Sequence, residues 1–160
     1  MKIYIFSSKN IDHIHIAEST GMWASGSAFE GKLKQETVAQ LFPVGSLCFF
    51  WASEKGLTMP FTSTSVPVIG TEISGDESPW EGTWHNPFKL SSLAKPTKFV
   101  SADELKTNMP VLVNSGKDAR SLLRSQLSPL YGVESVPNKD KTVWFPITQA
   151  DIDYLFARLM

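Results

Sequence analysis

The sequence predicts a mixed α/β (α+β) fold: a curved mixed β-sheet or open barrel flanked by helices, in a single domain over residues 1–160. Three observations lead there. The chain has 160 residues, of which 42% are apolar, enough to bury one substantial core. Strand-like apolar runs are too many for a helical bundle, and amphipathic stripes are too many for a simple sandwich. No linker, repeat or low-complexity tract divides the chain.

Lys2 to Phe6 reads as an opening strand with Ile3 and Ile5 on one face, and Ser-Ser-Lys-Asn after it supplies turn and capping groups. A short helix is predicted over Asn10 to Ser19, ended by Gly21, which leads into the small-residue segment Met22-Trp23-Ala24-Ser25. Phe29, Leu33, Thr37 and Leu41 recur every fourth residue and predict a helix over Ala28 to Leu41, closed by Pro43. Val44 to Ala52 is a continuous apolar strand. Leu57 to Ile69, rich in β-branched residues, returns beside it after the turn Glu54-Lys55-Gly56.

Gly70 to Pro79 is a polar, acidic loop, and Trp84 to Leu93 reads as a strand whose Pro87 marks an edge or a bulge. Ser101-Ala102-Asp103-Glu104 has capping-box spacing for one turn of helix. A further helix is expected over about Asp118 to Tyr131. Thr148-Gln149-Ala150-Asp151 caps a last one, with Ile152, Leu155, Phe156 and Leu159 as its stripe and Trp144 packed against it.

Composition excludes several classes of function. A net charge of −1 argues against a generic polyanion binder, so any phosphate contact must come from a local patch. The single cysteine, Cys48, lies in an apolar run and reads as a buried structural thiol, which rules out a disulfide framework within one chain. His13 and His15, two apart on a helix, point to different faces, and no acidic or cysteine partner stands at metal-ligand spacing. No cofactor or metal is expected. Neither a Gly-x-Ser-x-Gly elbow nor a Gly-Lys-Ser/Thr phosphate loop is present. With no long apolar run and no signal-peptide pattern, the expectation is a cytoplasmic protein without a membrane partner.

The five tryptophans carry more information, because indole serves either as core filler or as a flat recognition surface. Trp51, in a continuous apolar strand, and Trp84, at the head of another, read as core, although a strand end such as that at Trp51 can also line a pocket. Trp23 and Trp80 each follow a break in the chain and sit among small or polar residues. Pattern alone leaves both roles open for them.

At these residues the chain resembles the YTH domain, the reader of N6-methyladenine. Ser7-Ser8-Lys9-Asn10, Gly21-Met22-Trp23-Ala24-Ser25 and Lys32-Leu33 look like that domain's opening. Leu47 to Pro67 is similar to its central strands, and Trp80-Glu81-Gly82-Thr83-Trp84 to its Trp-Lys-Gly-x-Phe motif. Met109-Pro110-Val111 through Asn114-Ser115-Gly116-Lys117-Asp118 resembles its Lys-Pro-Val … Asn-Ser-Arg-Asp stretch. The motifs run collinearly over about residues 3 to 120. EVE domains, also of the PUA-like group, match the general fold with less motif agreement.

The resemblance implies a flipped, methylated base held in an aromatic cage with Trp23 and Trp80 as walls. It implies Ser7, Ser8, Lys9 and His13 at the base edge, backbone groups of Ala24 and Ser25 near the exocyclic amine, and Lys117 on phosphates, with Arg120, Arg124, Lys9 and Lys89 as its basic neighbours. The third wall of tighter-binding members falls in Gly70 to Pro79, which holds no aromatic residue and whose rim carries Asp76, Glu77 and Glu81. Trp51, Leu57 or Met59 is the expected substitute.

The implied function is a non-enzymatic reader of methylated single-stranded or flipped-out RNA or DNA; a monomer is expected, and any effector would be a separate protein. N6-methyladenine is the first candidate base. An EVE-like reader of modified cytosine in DNA and a toxin/antitoxin-type interaction protein are the alternatives. A small enzyme would have to use His13, His85 or Asp118 as acid and base.

Overall fold

The computed structural model describes residues 3–26, 34–108 and 149–160. In chain order the elements are β1 (Ile3–Ser8), α1 (Ile11–Thr20), β2 (Met22–Ala24), α2 (Gln35–Leu41), β3 (Leu47–Ala52) and β4 (Gly56–Ser63). They continue with β5 (Glu72–Ile73), one 3-10 turn (Gly75–Glu77), β6 (Trp84–His85), β7 (Pro87–Ser92), α3 (Ala102–Asn108) and α4 (Gln149–Leu159). Five strands form a curled sheet in the order β1-β3-β4-β7-β2, while β5 and β6 pair in a separate two-stranded ribbon. The fold is a mixed α+β architecture; among the described residues β1 and β3 are the parallel pair and the other neighbours are antiparallel.

β3 is a continuous apolar run, and β4 is buried along nearly its whole length, because both faces of the sheet are covered. On one face Tyr4, Phe6, Cys48, Phe50, Met59, Phe61 and Phe88 pack with Ile14 and Ala17 of α1 and Val38 of α2. On the other, Ile3, Ile5, Phe49, Trp51 and Leu57 pack with Leu105 of α3 and Ile152, Leu155 and Leu159 of α4. Period-2 alternation thus divides one strand between two cores. Cys48 is fully buried, and desolvation pushes its thiol well up from its ordinary value, as suits an inert structural residue.

Local signals end most elements where the sequence places them. The Asn10 side chain accepts from the Asp12 amide at 2.9 Å and caps α1. Gly21 ends the helix in the left-handed region at φ 68°, donating to the Ala17 carbonyl at 2.9 Å. The hairpin from β3 to β4 turns through Glu54 and Gly56, both at positive φ.

Four expectations need correction. β1 runs on to Ser8, since its parallel register with β3 continues to Ser8 opposite Ala52. β3 starts at Leu47 rather than Val44, because Gly45 turns the chain at φ 89° and leaves Val44 60% exposed. β4 stops at Ser63, short of Ile69. The strand expected from Trp84 to Leu93 is two strands in two sheets, broken at Asn86, whose φ of 56° cannot continue a pleat. Phe29 and Leu33 of the expected second helix, the helix over Asp118 to Tyr131, and Trp144 lie outside the described residues.

The last helix is tied to α3 by an ion pair. Arg158 donates from Nε to Glu104 at 2.5 Å and from Nη2 at 2.9 Å, the two-pronged geometry that suits guanidinium and carboxylate. The hydrogen bond from Arg158 holds the Glu104 carboxyl below its ordinary value. A lowered folded-state value means that the unfolded chain binds the proton more tightly. The pair's stabilisation is therefore present above the ordinary carboxylate range and is lost as pH falls through the lowered value. Thermal unfolding of Glu104→Gln should show a midpoint below wild type at pH 7, and the gap should close below about pH 4. A gap that persists unchanged in acid would show that the pair is not its source.

Candidate functional site

The site is assembled from three parts of the chain. α1 supplies His13, the strand β2 supplies Trp23, and the excursion between β4 and β7 supplies Trp80 and Trp84. Their rings form a continuous series running from core to surface. Phe50, fully buried in β3, meets Trp23 edge-on with centroids 4.7 Å apart. Trp23 meets Trp80 at 5.4 Å, Trp80 meets Trp84 at 5.3 Å, and Trp84 meets the His13 imidazole at 5.2 Å. Trp23 and Trp80 are 5% and 4% exposed, while Trp84 and His13 are half-buried.

Trp23 is placed by the short pairing of β2 with β7, which sets it opposite Phe88. Trp80 is placed by a turn at its own position. The Ser78 hydroxyl accepts from the Trp80 amide at 3.2 Å and donates to the Trp80 carbonyl at 2.9 Å. The Trp80 indole N–H reaches the His13 carbonyl at 3.3 Å, which fastens the excursion to α1.

The structure thus brings Trp23, Trp80 and His13 together, although not as the resemblance implies. The two indoles are 83° apart and touch edge to face, so they do not stand as parallel walls around a ring-thick slot. Trp51 and Leu57 do not join them. Both belong to the opposite core, because odd-numbered positions of β3 and Leu57 of β4 turn toward α3 and α4. Met59 does share the core with Trp23 and Trp80. The third aromatic partner is Trp84, which the sequence reading buried as the head of a strand. Its four-residue spacing from Trp80 was the available signal, and only the fold of the excursion brings the two rings together.

The polar candidates divide in the same manner. Ser7 and Lys9 are exposed at the end of β1, whereas the Ser8 hydroxyl is closed into a turn, donating to the Asn10 carbonyl at 2.9 Å. Ala24 is buried beside Pro87 in the β2–β7 ladder. Ser25 donates to the Asn86 carbonyl from its amide at 3.0 Å and its hydroxyl at 2.9 Å. Lys89 is exposed, and alternation with buried Phe88 and Leu90 turns it away from the tryptophans. Lys117, Arg120, Arg124 and Asp118 lie outside the described residues.

Electrostatically the excursion is acidic. Residues 70–86 contain Glu72, Asp76, Glu77 and Glu81 and neither lysine nor arginine, and all four carboxylates are exposed. His85 faces Glu72 across the β5–β6 ribbon at 3.5 Å. Among the described residues no group of three histidine, cysteine, aspartate or glutamate side chains could hold a metal ion, and no helix is long and apolar enough to cross a membrane. A concavity of about 340 Å³, lined by Tyr4, Gln40, Leu41 and residues 43–47, lies at the opposite end of β1 and carries no charged side chain.

Fold and site together define a mixed α+β domain with an aromatic cluster at one end of a curled sheet. No protein-family model and no curated protein matches the chain. Among solved structures it is similar to the Pho92 YTH domain in complex with m6A, at a TM-score of 0.47 and 16% identity over 66% of this chain and 62% of that one. It is also similar to human THYN1 in complex with 5-methylcytosine-containing DNA, at a TM-score of 0.47 and 11% identity over 98% and 96% of the two chains. A third similarity is to a Pseudomonas putida protein from a structural genomics consortium, at a TM-score of 0.45 and 14% identity over 96% of each chain. The match to the YTH domain spans less than two thirds of that chain.

Proposed function

We propose that this chain is a nucleic-acid-binding module that takes one methylated base into the cluster of Trp23, Trp80 and Trp84. The observation that carries this reading is the run of ring contacts from Phe50 to His13, which leads from a rigid sheet to the surface. Trp23 is the fixed wall. Trp80 is the adjustable one, since it sits on an irregular segment and its indole is held by one 3.3 Å hydrogen bond.

The base takes the place on Trp23 that the edge of Trp80 occupies, and Trp80 swings to cover its other face. Opening costs the edge-to-face contact with Trp23, about 0.5–1.5 kcal/mol, the indole hydrogen bond, about 1 kcal/mol, and whatever part of the Trp80 burial and of its contact with Trp84 the base does not replace. Flipping the base costs a few kcal/mol more, against roughly 1–3 kcal/mol returned per stacked face. The balance gives modest affinity. A methyl group buried among the indoles adds about 0.8 kcal/mol, and aromatic enclosure raises the preference toward tens-fold. His13, at the mouth, presents an imidazole that donates or accepts at the base edge according to its tautomer. Exposed Lys9 stands nearest in sequence for a phosphate, and the acidic excursion keeps the backbone of the strand to that side.

N6-methyladenine is the first candidate base and modified cytosine the second. Titrating tryptophan fluorescence with RNA and DNA oligonucleotides carrying adenine, N6-methyladenine, cytosine or 5-methylcytosine separates them. A tens-fold preference for one modified oligonucleotide is expected. Equal binding of modified and unmodified strands would refute the reading.

A further inference from the structure

Asn86 stands where the excursion rejoins the sheet, between β6 and β7. It is 2% exposed and holds φ 56°, in the left-handed region that asparagine tolerates better than other side-chain-bearing residues. Every polar group it owns is used. Its amide donates to the Thr71 carbonyl at 2.8 Å, and its carbonyl accepts from the Ser25 amide and hydroxyl. Its side-chain Nδ2 donates to the Gly26 carbonyl at 2.9 Å, while Oδ1 accepts from the Gly70 amide at 2.9 Å. One residue therefore ties the segment after Trp23 to both strands at the base of the excursion that carries Trp80 and Trp84.

We infer that Asn86 is the positioning residue that holds Trp23 and the Trp80–Trp84 excursion in mutual register, and so sets the affinity of the site for a modified base. The inference rests on the proposed function. Chemically the position asks for three things at once: tolerance of a positive φ, an acceptor toward Gly70 and a donor toward Gly26. Aspartate supplies the acceptor without the donor. Glycine supplies the backbone alone. Asparagine meets all three, and the orientation of its amide follows from the two partners, one a donor and one an acceptor. Away from Asn86 the excursion is held by the Gln35 side chain, which donates to the Pro67 carbonyl at 2.8 Å and accepts from the Ile69 amide at 2.9 Å. It is also held by the Val68 amide on the Pro87 carbonyl at 3.1 Å and by the Trp80 indole on α1. None of these bonds reaches the segment after Trp23, so losing the Asn86 amide bonds loosens Trp23 against the excursion while the sheet beneath them stays intact.

Two variants test this in the full chain. Asn86→Gly keeps the left-handed backbone and its hydrogen bonds to Ser25 and Thr71, and removes only the side-chain ties. Asn86→Asp keeps the tie to Gly70 and turns a carboxylate oxygen on the Gly26 carbonyl. The readouts are the exciton couplet of Trp23 with Trp80 in circular dichroism, assigned by its loss in Trp23→Phe and its retention in Trp84→Phe, and the affinity for an RNA oligonucleotide carrying N6-methyladenine or a DNA one carrying 5-methylcytosine. In both variants the couplet should collapse and binding should weaken at least tenfold while unfolding stays cooperative.

A purely structural role would lower the unfolding midpoint yet leave couplet and affinity unchanged in the folded protein, and that result in either variant overturns the inference. If wild type binds and both variants bind equally well, the inference falls alone. If wild type binds neither modified strand, the reading of the site falls and takes the inference with it.

Discussion

Trp23→Ala is expected to cost the fold about 3–5 kcal/mol, enough to unfold much of a marginally stable domain. The indole is 5% exposed, rests on fully buried Phe50 and on Trp80, and belongs to a strand of three residues. Removing it empties the centre of one core at the point where β2 is held to β7. Any loss of binding in this variant therefore reports the loss of the fold. Trp23→Phe, which keeps a ring against Phe50, is the informative change at this position.

Trp80→Ala also empties a buried core position, since that indole is 4% exposed in the same cluster, but it breaks no sheet pairing because its segment is irregular, so its binding loss is read beside its own unfolding midpoint. Losing one stacked face should weaken modified-base binding by roughly 5- to 150-fold, the equivalent of about 1–3 kcal/mol. Urea unfolding alongside the fluorescence titration reads both quantities. A Trp23→Ala protein with an unchanged midpoint would mean that the indole is a surface residue after all.

Gly56→Ala is the second change with a large expected effect. A Cβ at this position would lie 2.1 Å from the Val100 carbonyl oxygen and 2.8 Å from its carbon, both backbone atoms, at a φ of 117°. Leu57 and Val100 exchange hydrogen bonds there at 2.9 Å in each direction, so the chain leading into α3 cannot step back without breaking them. Backbone strain of about 1–3 kcal/mol and overpacking of about 1–3 kcal/mol act together.

Gly70→Ala is the matched control, since its φ is 81° but no atom lies within 4 Å of the added Cβ. Its cost should be confined to the backbone conformation, about 1–2 kcal/mol. Comparing chemical-denaturation midpoints of the two variants isolates the collision. Equal midpoints would show that β4 and the Val100 segment are not in the close contact described.

Much of the local structure was legible because its causes are local. Asn10 and Gly21 bracket α1 by a side-chain cap and a left-handed turn, and Glu54-Lys55-Gly56 forms the hairpin that its composition predicts. Ile3 and Ile5 share a face because successive side chains of a strand alternate. Where the reading failed, a backbone angle or a distant partner intervened. Gly45 shortened β3, and Asn86 divided what looked like one strand between two sheets.

By itself the sequence determined α1, the β3–β4 hairpin and the helix over Gln149–Leu159, the mixed α+β class, and the two tryptophans at breaks in the chain that deserved testing as recognition surface. Tertiary structure alone decided which rings meet. A strand buried on both faces offers no polar side from which to tell one core from the other, so nothing in the run from Leu47 to Ala52 could show that Phe50 lies under Trp23 while Trp51 turns toward α4. Nor could spacing show that Trp80 and Trp84 fold back onto Trp23 and His13, because that contact depends on hydrogen bonds Asn86 makes to residues 15 to 61 positions away. Side-chain identity and period are properties of the chain, whereas the facing of two elements is set by long-range pairing that no local window contains.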